Sequence, residues 1–188
     1  MKVLTVFGGS RLRGNTATVL GWLEEALRAH GHTVTRVNLT ELSIRGCTGC
    51  WACAESMTEP ACVVEDDANA VFKKMIASDG IVFASPLYMW GFSGQLKTFI
   101  DRTCCLVKAY DSPQYTSLVG DKRAALLMTC AGPIEKNAEL AREQYHRYTA
   151  YTRLDSAAAW IVPNCSEPDS LSEAVRKQAE DLAEKLIA

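Results

Sequence analysis

The sequence predicts an α/β fold in which a doubly wound, parallel sheet of five strands, in the order 2-1-3-4-5, is covered by helices on both faces to make three layers. Three observations predict it. Short apolar runs of strand length alternate with helix-period stretches along all 188 residues, which is the βαβ pattern of a parallel sheet. Right-handed crossovers then leave few topologies, and 2-1-3-4-5 is the common one at this length. No repeat and no Pro- or Gly-rich linker divides the chain, so residues 1–188 are read as a single domain.

The elements follow in order. Val3–Phe7 is an unbroken apolar strand, and Asn15–Ala29 a helix with Val19, Leu20, Leu23, Ala26 and Leu27 on one face, stopped by Gly31. His32–Leu39 alternates as the second strand. Asp66–Ser78 has helical period through Ala70, Val71, Met75 and Ile76, and opens on an acidic pair suited to a helix N-terminus. Gly80–Ala84 is the third strand and Ser93–Arg102 the next helix. Lys122–Thr129 and Ser156–Val162 are the remaining strands; Ile134–Tyr151 and Leu171–Ile187 are the remaining helices. Between the second strand and its helix, residues 45–65 lack a period and carry four cysteines, and long loops of that kind are usually functional.

Composition narrows the function classes. A formal net charge of −2 with no basic stripe disfavours a nucleic-acid partner. No apolar run has the length of a membrane span or a secretory leader, so the chain is read as cytoplasmic, with no membrane partner. Eight cysteines in a reducing compartment point to metal binding, redox chemistry or burial rather than a disulfide framework. Cys104, Cys105, Cys130 and Cys165 sit in apolar surroundings and are read as core residues. His30, His32 and His146 have no metal-ligand spacing.

Ligands of such sheets bind beyond the carboxyl ends of the strands, where strand order reverses. The first strand ends in Gly8-Gly9-Ser10-Arg11-Leu12-Arg13-Gly14-Asn15-Thr16. N–H groups at a helix start, with hydroxyls and two arginines beside them, make an anion site. The stretch is one residue from the P-loop pattern G-x4-G-K-[ST]: Asn15 stands where the lysine would neutralise a triphosphate. A ligand with one terminal phosphate fits better, and a degenerate P-loop binder is the competing reading. The third strand runs into Ser85-Pro86-Leu87-Tyr88-Met89-Trp90-Gly91, an aromatic loop at the switch point and a platform for a flat heterocycle. Together the two loops describe flavin mononucleotide (FMN).

Cys47, Cys50 and Cys53 repeat at three-residue intervals and Cys62 follows. C-x2-C-x2-C with a fourth thiol nearby fits a [4Fe–4S] cluster. Structural zinc normally uses two separated pairs, and redox-active or buried thiols are the third reading. The segment is expected on the ligand-binding edge of the sheet, beside the flavin loops.

Gly9-Ser10 through Thr16, the block from Ser85 to Gly91, and Gln95-Leu96-Lys97-Thr98-Phe99-Ile100-Asp101-Arg102 resemble the flavodoxin-like NAD(P)H-dependent FMN reductases, and within them the iron–sulfur flavoprotein branch. The resemblance implies an FMN phosphate held by Ser10, Arg11 or Arg13, Gly14, Asn15 and Thr16. It implies a ring edge against Ser85, Pro86, Leu87, Tyr88, Met89, Trp90 and Gly91, and a third contact loop at Thr129, Cys130, Ala131 and Gly132. It also implies NAD(P)H as donor, a homodimer or homotetramer, and Cys47, Cys50, Cys53 and Cys62 as cluster ligands. Two departures stand out: the phosphate loop is one residue short, and eight residues separate Cys53 from Cys62, a wider gap than the branch shows. The expected activity is an FMN-dependent oxidoreductase with no general acid or base of its own; the alternative is a non-enzymatic flavin and iron–sulfur electron carrier.

Overall fold

Strand β1 (Lys2–Phe7) buries five of its six residues, as a strand covered on both faces must. The computed structural model describes residues 1–166 and 171–188, so the stretch 167–170 of the expected single unit lies outside the described residues. Helix α1 (Asn15–Ala29) follows β1, then β2 (Thr33–Asn38), α2 (Ala68–Ala77), β3 (Gly80–Pro86) and α3 (Gly94–Arg102). After a hairpin of β4 (Val107–Lys108) and β5 (Thr116–Ser117) come β6 (Arg123–Thr129), α4 (Glu139–Thr152), β7 (Asp155–Val162) and α5 (Glu173–Ile187). The main sheet is parallel with order β2-β1-β3-β6-β7. That is the 2-1-3-4-5 order expected, once the small hairpin is left out of the count.

Side chains alternate across the sheet and divide the core in two. Leu4, Val6, Ile81 and Phe83 face α2, α3 and α4, where Phe72, Phe99 and Tyr145 are buried. Val3, Phe7, Val82 and Ala84 face α1 and α5, where Leu20, Leu23, Leu182 and Leu186 close the other layer.

Two expectations need correction. The β4–β5 hairpin was not foreseen, because two residues per strand carry no period. Helix α4 begins at Glu139 rather than Ile134: Asn137 and Ala138 N–H turn back onto the Ile134 carbonyl, and the Glu139 carboxylate accepts from Lys136 and Asn137 N–H. The cysteine segment is led away from β2 along α3. Leu39, Leu42 and Ile44 pack onto the core, and Leu42 and Ile44 share a groove with Gly94, Gln95 and Thr98 of α3. The Arg45 carbonyl then accepts from Arg102 at the opposite end of that helix. The chain is thus carried along α3, whose nine residues span roughly 13 Å at 1.5 Å each.

Candidate functional site

The loop between β1 and α1 is shaped by close approach. A Cβ on Gly8 would lie 2.6 Å from Leu96 Cβ, and one on Gly9 would lie 2.3 Å from the Phe7 ring. Ser93 fixes the loop to α3 by donating to the Gly8 carbonyl at 2.6 Å and accepting from Leu96 N–H. Gly14 then caps α1 in an extended conformation without a side-chain bond, and the first turn carries no acid. The first N–H groups of a fifteen-residue helix are therefore left for an anion, with the positive end of the helix dipole behind them.

A polar cleft of about 130 Å³ lies there, at the ends of β1, β3, β6 and β7. Of the expected residues, Ser10, Arg11, Gly14, Asn15, Thr16, Pro86, Leu87, Tyr88, Thr129, Cys130 and Ala131 line it. Arg13, Ser85, Met89, Trp90, Gly91 and Gly132 are not among its lining residues. Ser85 is fully buried, its hydroxyl donating to the Pro86 carbonyl and accepting from Ser93 N–H, so it braces the loop. Asn15 donates to the Cys165 carbonyl at 2.7 Å, while its Oδ1 is buried with no partner among the described residues. Thr16 and Thr129 share a hydrogen bond at 2.7 Å. Cys165 and Ser166, beyond β7, complete the wall; only their position after the edge strand could have signalled them.

Beside the cleft, Tyr88 and Gly91 exchange backbone hydrogen bonds at 3.0 Å around a two-residue turn. Both central residues are left-handed, Met89 at φ 46° and Trp90 at φ 62°. Such a turn ordinarily takes Asn or Gly, and side chains there cost about 1–2 kcal/mol each. Met89 is 84% exposed and Trp90 52%, so packing does not repay this. Strain held by an exposed aromatic turn is characteristic of ligand clamps. The cleft fits a phosphate and the first carbons attached to it, and the turn offers an open shelf for a ring. Tyr88 joins the two, its hydroxyl 3.5 Å from Ser10 Oγ.

A larger cavity of about 700 Å³ occupies the far end of α3. Cys47, Cys50, Cys53 and Cys62 line it together with Cys104 and Cys105, whose expected role was core packing. Cys105 is indeed buried, but both thiols face the cavity. Cys47 Sγ lies 3.9 Å from Cys104 Sγ. Arg102 donates to Cys62 Sγ at 3.3 Å, to the Arg45 and Val64 carbonyls, and to Asp66 at 2.7 Å. Lys108 donates to the Cys53 carbonyl at 3.0 Å. Sequence reasoning missed both cations. The signal was faint: a Lys inside a two-residue strand and an Arg ending a helix.

Charge and burial set the thiols apart. Burial, with Cys47 and Cys53 beside it, pushes the Cys104 thiol up to about 12; burial also raises Cys105 and Cys53. Cys50 is lowered by the Ala52 N–H and the Thr48 hydroxyl. Burial pulls the Lys108 ammonium below its ordinary range, opposed by Cys105, Cys53 and Cys104. For Asp66, burial raises the carboxyl, but Arg102 and the Arg45 and Ala68 N–H groups outweigh it and hold it below the usual carboxylate range. Among the described residues no three His, Cys, Asp or Glu side chains converge on one ion. The sulfurs ring a cavity instead, as ligands to separate corners of a cluster do.

Known proteins agree with this architecture. An iron–sulfur flavoprotein of Methanocaldococcus jannaschii is 35% identical over 103 residues, covering 55% of this chain and 52% of that protein. One of Methanosarcina thermophila is 31% identical over 106 residues, covering 56% and 54%. The chain thus spans about half the length of the curated relatives it matches. An FMN-dependent NADH-azoreductase of Bacillus anthracis, solved with FMN, superposes with a TM-score of 0.77 at 13% identity over the whole of both chains. An NAD(P)H:quinone oxidoreductase of Methanothermobacter marburgensis superposes at 0.76 with 18% identity, over 100% and 98%. At these identities the likeness establishes the flavodoxin-like fold. The family described as NADPH-dependent FMN reductase matches residues 1–164, and the chain belongs to it.

Proposed function

We propose that the chain is an FMN-dependent oxidoreductase that takes electrons from NAD(P)H and passes them to a small-molecule or protein acceptor. The observation that carries this reading is the uncapped N-terminus of α1, opening onto a polar cleft beside a strained aromatic shelf. Ser10, Arg11, Asn15, Thr16 and the first N–H groups of α1 would hold the phosphate. Pro86, Leu87, Tyr88 and the Met89–Trp90 turn would carry the ring. The ring, when bound, supplies two-electron exchange with a nicotinamide and onward transfer to the acceptor.

The protein's own work is positional. Arg11 and the helix dipole offset the phosphate charge, the glycines let the backbone approach, and the Tyr88–Gly91 hairpin keeps the Met89 and Trp90 N–H groups outside its own hydrogen bonds. The thiol cavity fits a [4Fe–4S] cluster held by Cys47, Cys50, Cys53 and Cys62. Six cysteines line it, and a buried guanidinium donates to Cys62. A homodimer or homotetramer in the cytoplasm is the assembly and setting proposed. No helix among the described residues is long and apolar enough to cross a membrane.

The test mixes FMN-loaded protein anaerobically with NADH or NADPH in a stopped-flow instrument. An oxidoreductase bleaches its flavin absorption rapidly with one of them. Flavin that stays oxidised until a partner protein is added would make the chain an electron carrier instead.

A further inference from the structure

Among the described residues, the thiol cavity is backed by two buried cations and one buried carboxylate. Arg102 and Lys108 are each 1% exposed. Asp66 matches Arg102 in a closed pair whose side chains are 0% and 5% exposed. Asp101, at the cavity, is half exposed and held by Lys97, and Arg45 is turned to the Glu65 carbonyl. Among the described residues no carboxylate lies within ion-pair reach of Lys108. Of its three donor hydrogens, one goes to the Cys53 carbonyl.

An unpaired ammonium shut away from water is strongly unfavourable, and a Leu or Met in β4 would relieve it. The group it touches is the carbonyl of Cys53, one of the four expected ligands, and Cys53 lines the cavity together with Cys104 and Cys105. Arg102, in the cavity lining, points an N–H at Cys62 Sγ. Each cation therefore holds an expected ligand residue, Lys108 through the Cys53 carbonyl and Arg102 through the Cys62 sulfur.

We propose that Lys108 and Arg102 form a cationic backing that compensates thiolate charge in this cavity and raises the reduction potential of the iron–sulfur cluster bound there. The inference rests on the cluster reading given under Proposed function. One-electron reduction adds a negative charge to a centre already anionic through its thiolates. A fixed positive charge nearby favours the reduced form, and an N–H donated to a ligating sulfur acts in the same direction. Groups that orient and neutralise ligands in this way commonly change metal affinity about 10- to 100-fold when replaced. Lys108 and Arg102 are positioning residues: they act on the cluster through its sulfurs and their surroundings.

The experiment compares full-length wild type, Lys108→Met and Lys108→Arg after anaerobic reconstitution with iron and sulfide, by redox titration of the cluster followed by electron paramagnetic resonance. Lys108→Met is expected to shift the reduction equilibrium at least tenfold toward the oxidised form, which is about 59 mV lower for one electron; Lys108→Arg is expected to stay near wild type. Should Lys108→Met not fold, Arg102→Lys, which keeps a charge but withdraws the fork from Cys62, is read in the same way, with a fall expected. An iron-loaded wild type whose potential is unmoved by the substitution that folds overturns the inference and leaves the cluster reading standing. Wild type that takes up no iron overturns both.

Discussion

Arg11 and Arg13 are two residues apart in one loop, yet Arg11 lines the cleft at the α1 N-terminus and Arg13 is not among its lining residues. A charged hydrogen bond is worth about 1.5–3 kcal/mol, so Arg11→Ala is expected to weaken FMN binding tenfold or more. Arg13→Ala should leave it within about twofold, each read by flavin fluorescence titration. Equal losses would mean that both side chains reach the phosphate. The Met89–Trp90 turn is exposed and left-handed at both residues. Replacing the pair with Asn-Gly supplies the residues its left-handed geometry favours, and should stabilise the apoprotein by about 1–2 kcal/mol. Weaker flavin binding in the same variant would show what the strain maintains. A loss of stability in urea would contradict the strained-turn account.

At the scale of elements, Arg102 fastens the cysteine segment to the end of α3 through the Arg45 and Val64 carbonyls, Cys62 and Asp66. Removing one partner of a buried ion pair leaves the other uncompensated, at a cost of about 3–5 kcal/mol. Asp66→Asn should therefore lower the urea midpoint sharply. A change below about 1 kcal/mol would mean that the pair behaves as a surface contact. The pH dependence has a definite sign. The folded Asp66 carboxyl titrates below its unfolded value, so its stabilisation is fully present above about pH 4 and is lost as pH falls through the lower, folded value. Wild type should lose stability in that acid window more steeply than Asp66→Asn, as parallel urea titrations would show.

For the molecule as a whole, the fold was legible because the central strands are buried on both faces. Ile81–Ala84 and Ala124–Met128 are fully enclosed, and such runs leave an unbroken apolar trace in the sequence. The cleft at the start of α1 was legible because its glycines and hydroxyls fall at a strand-to-helix junction. The thiol cavity was only half legible. Spacing revealed Cys47, Cys50 and Cys53, but Cys104 and Cys105 look like core in one dimension, and only the path of residues 39–45 along α3 brings the loop to them. The two sites lie at opposite ends of one helix, tied at its start by Ser93 to Gly8 and at its end by Arg102 to Cys62.

The α1 N-terminus and its cleft are proposed to bind the phosphate of FMN. Titrating FMN and riboflavin, which lacks the phosphate, into the flavin-free protein tests this directly. Losing even one charged hydrogen bond of about 1.5–3 kcal/mol predicts that riboflavin binds at least tenfold more weakly than FMN; equal affinities for the two would contradict the account.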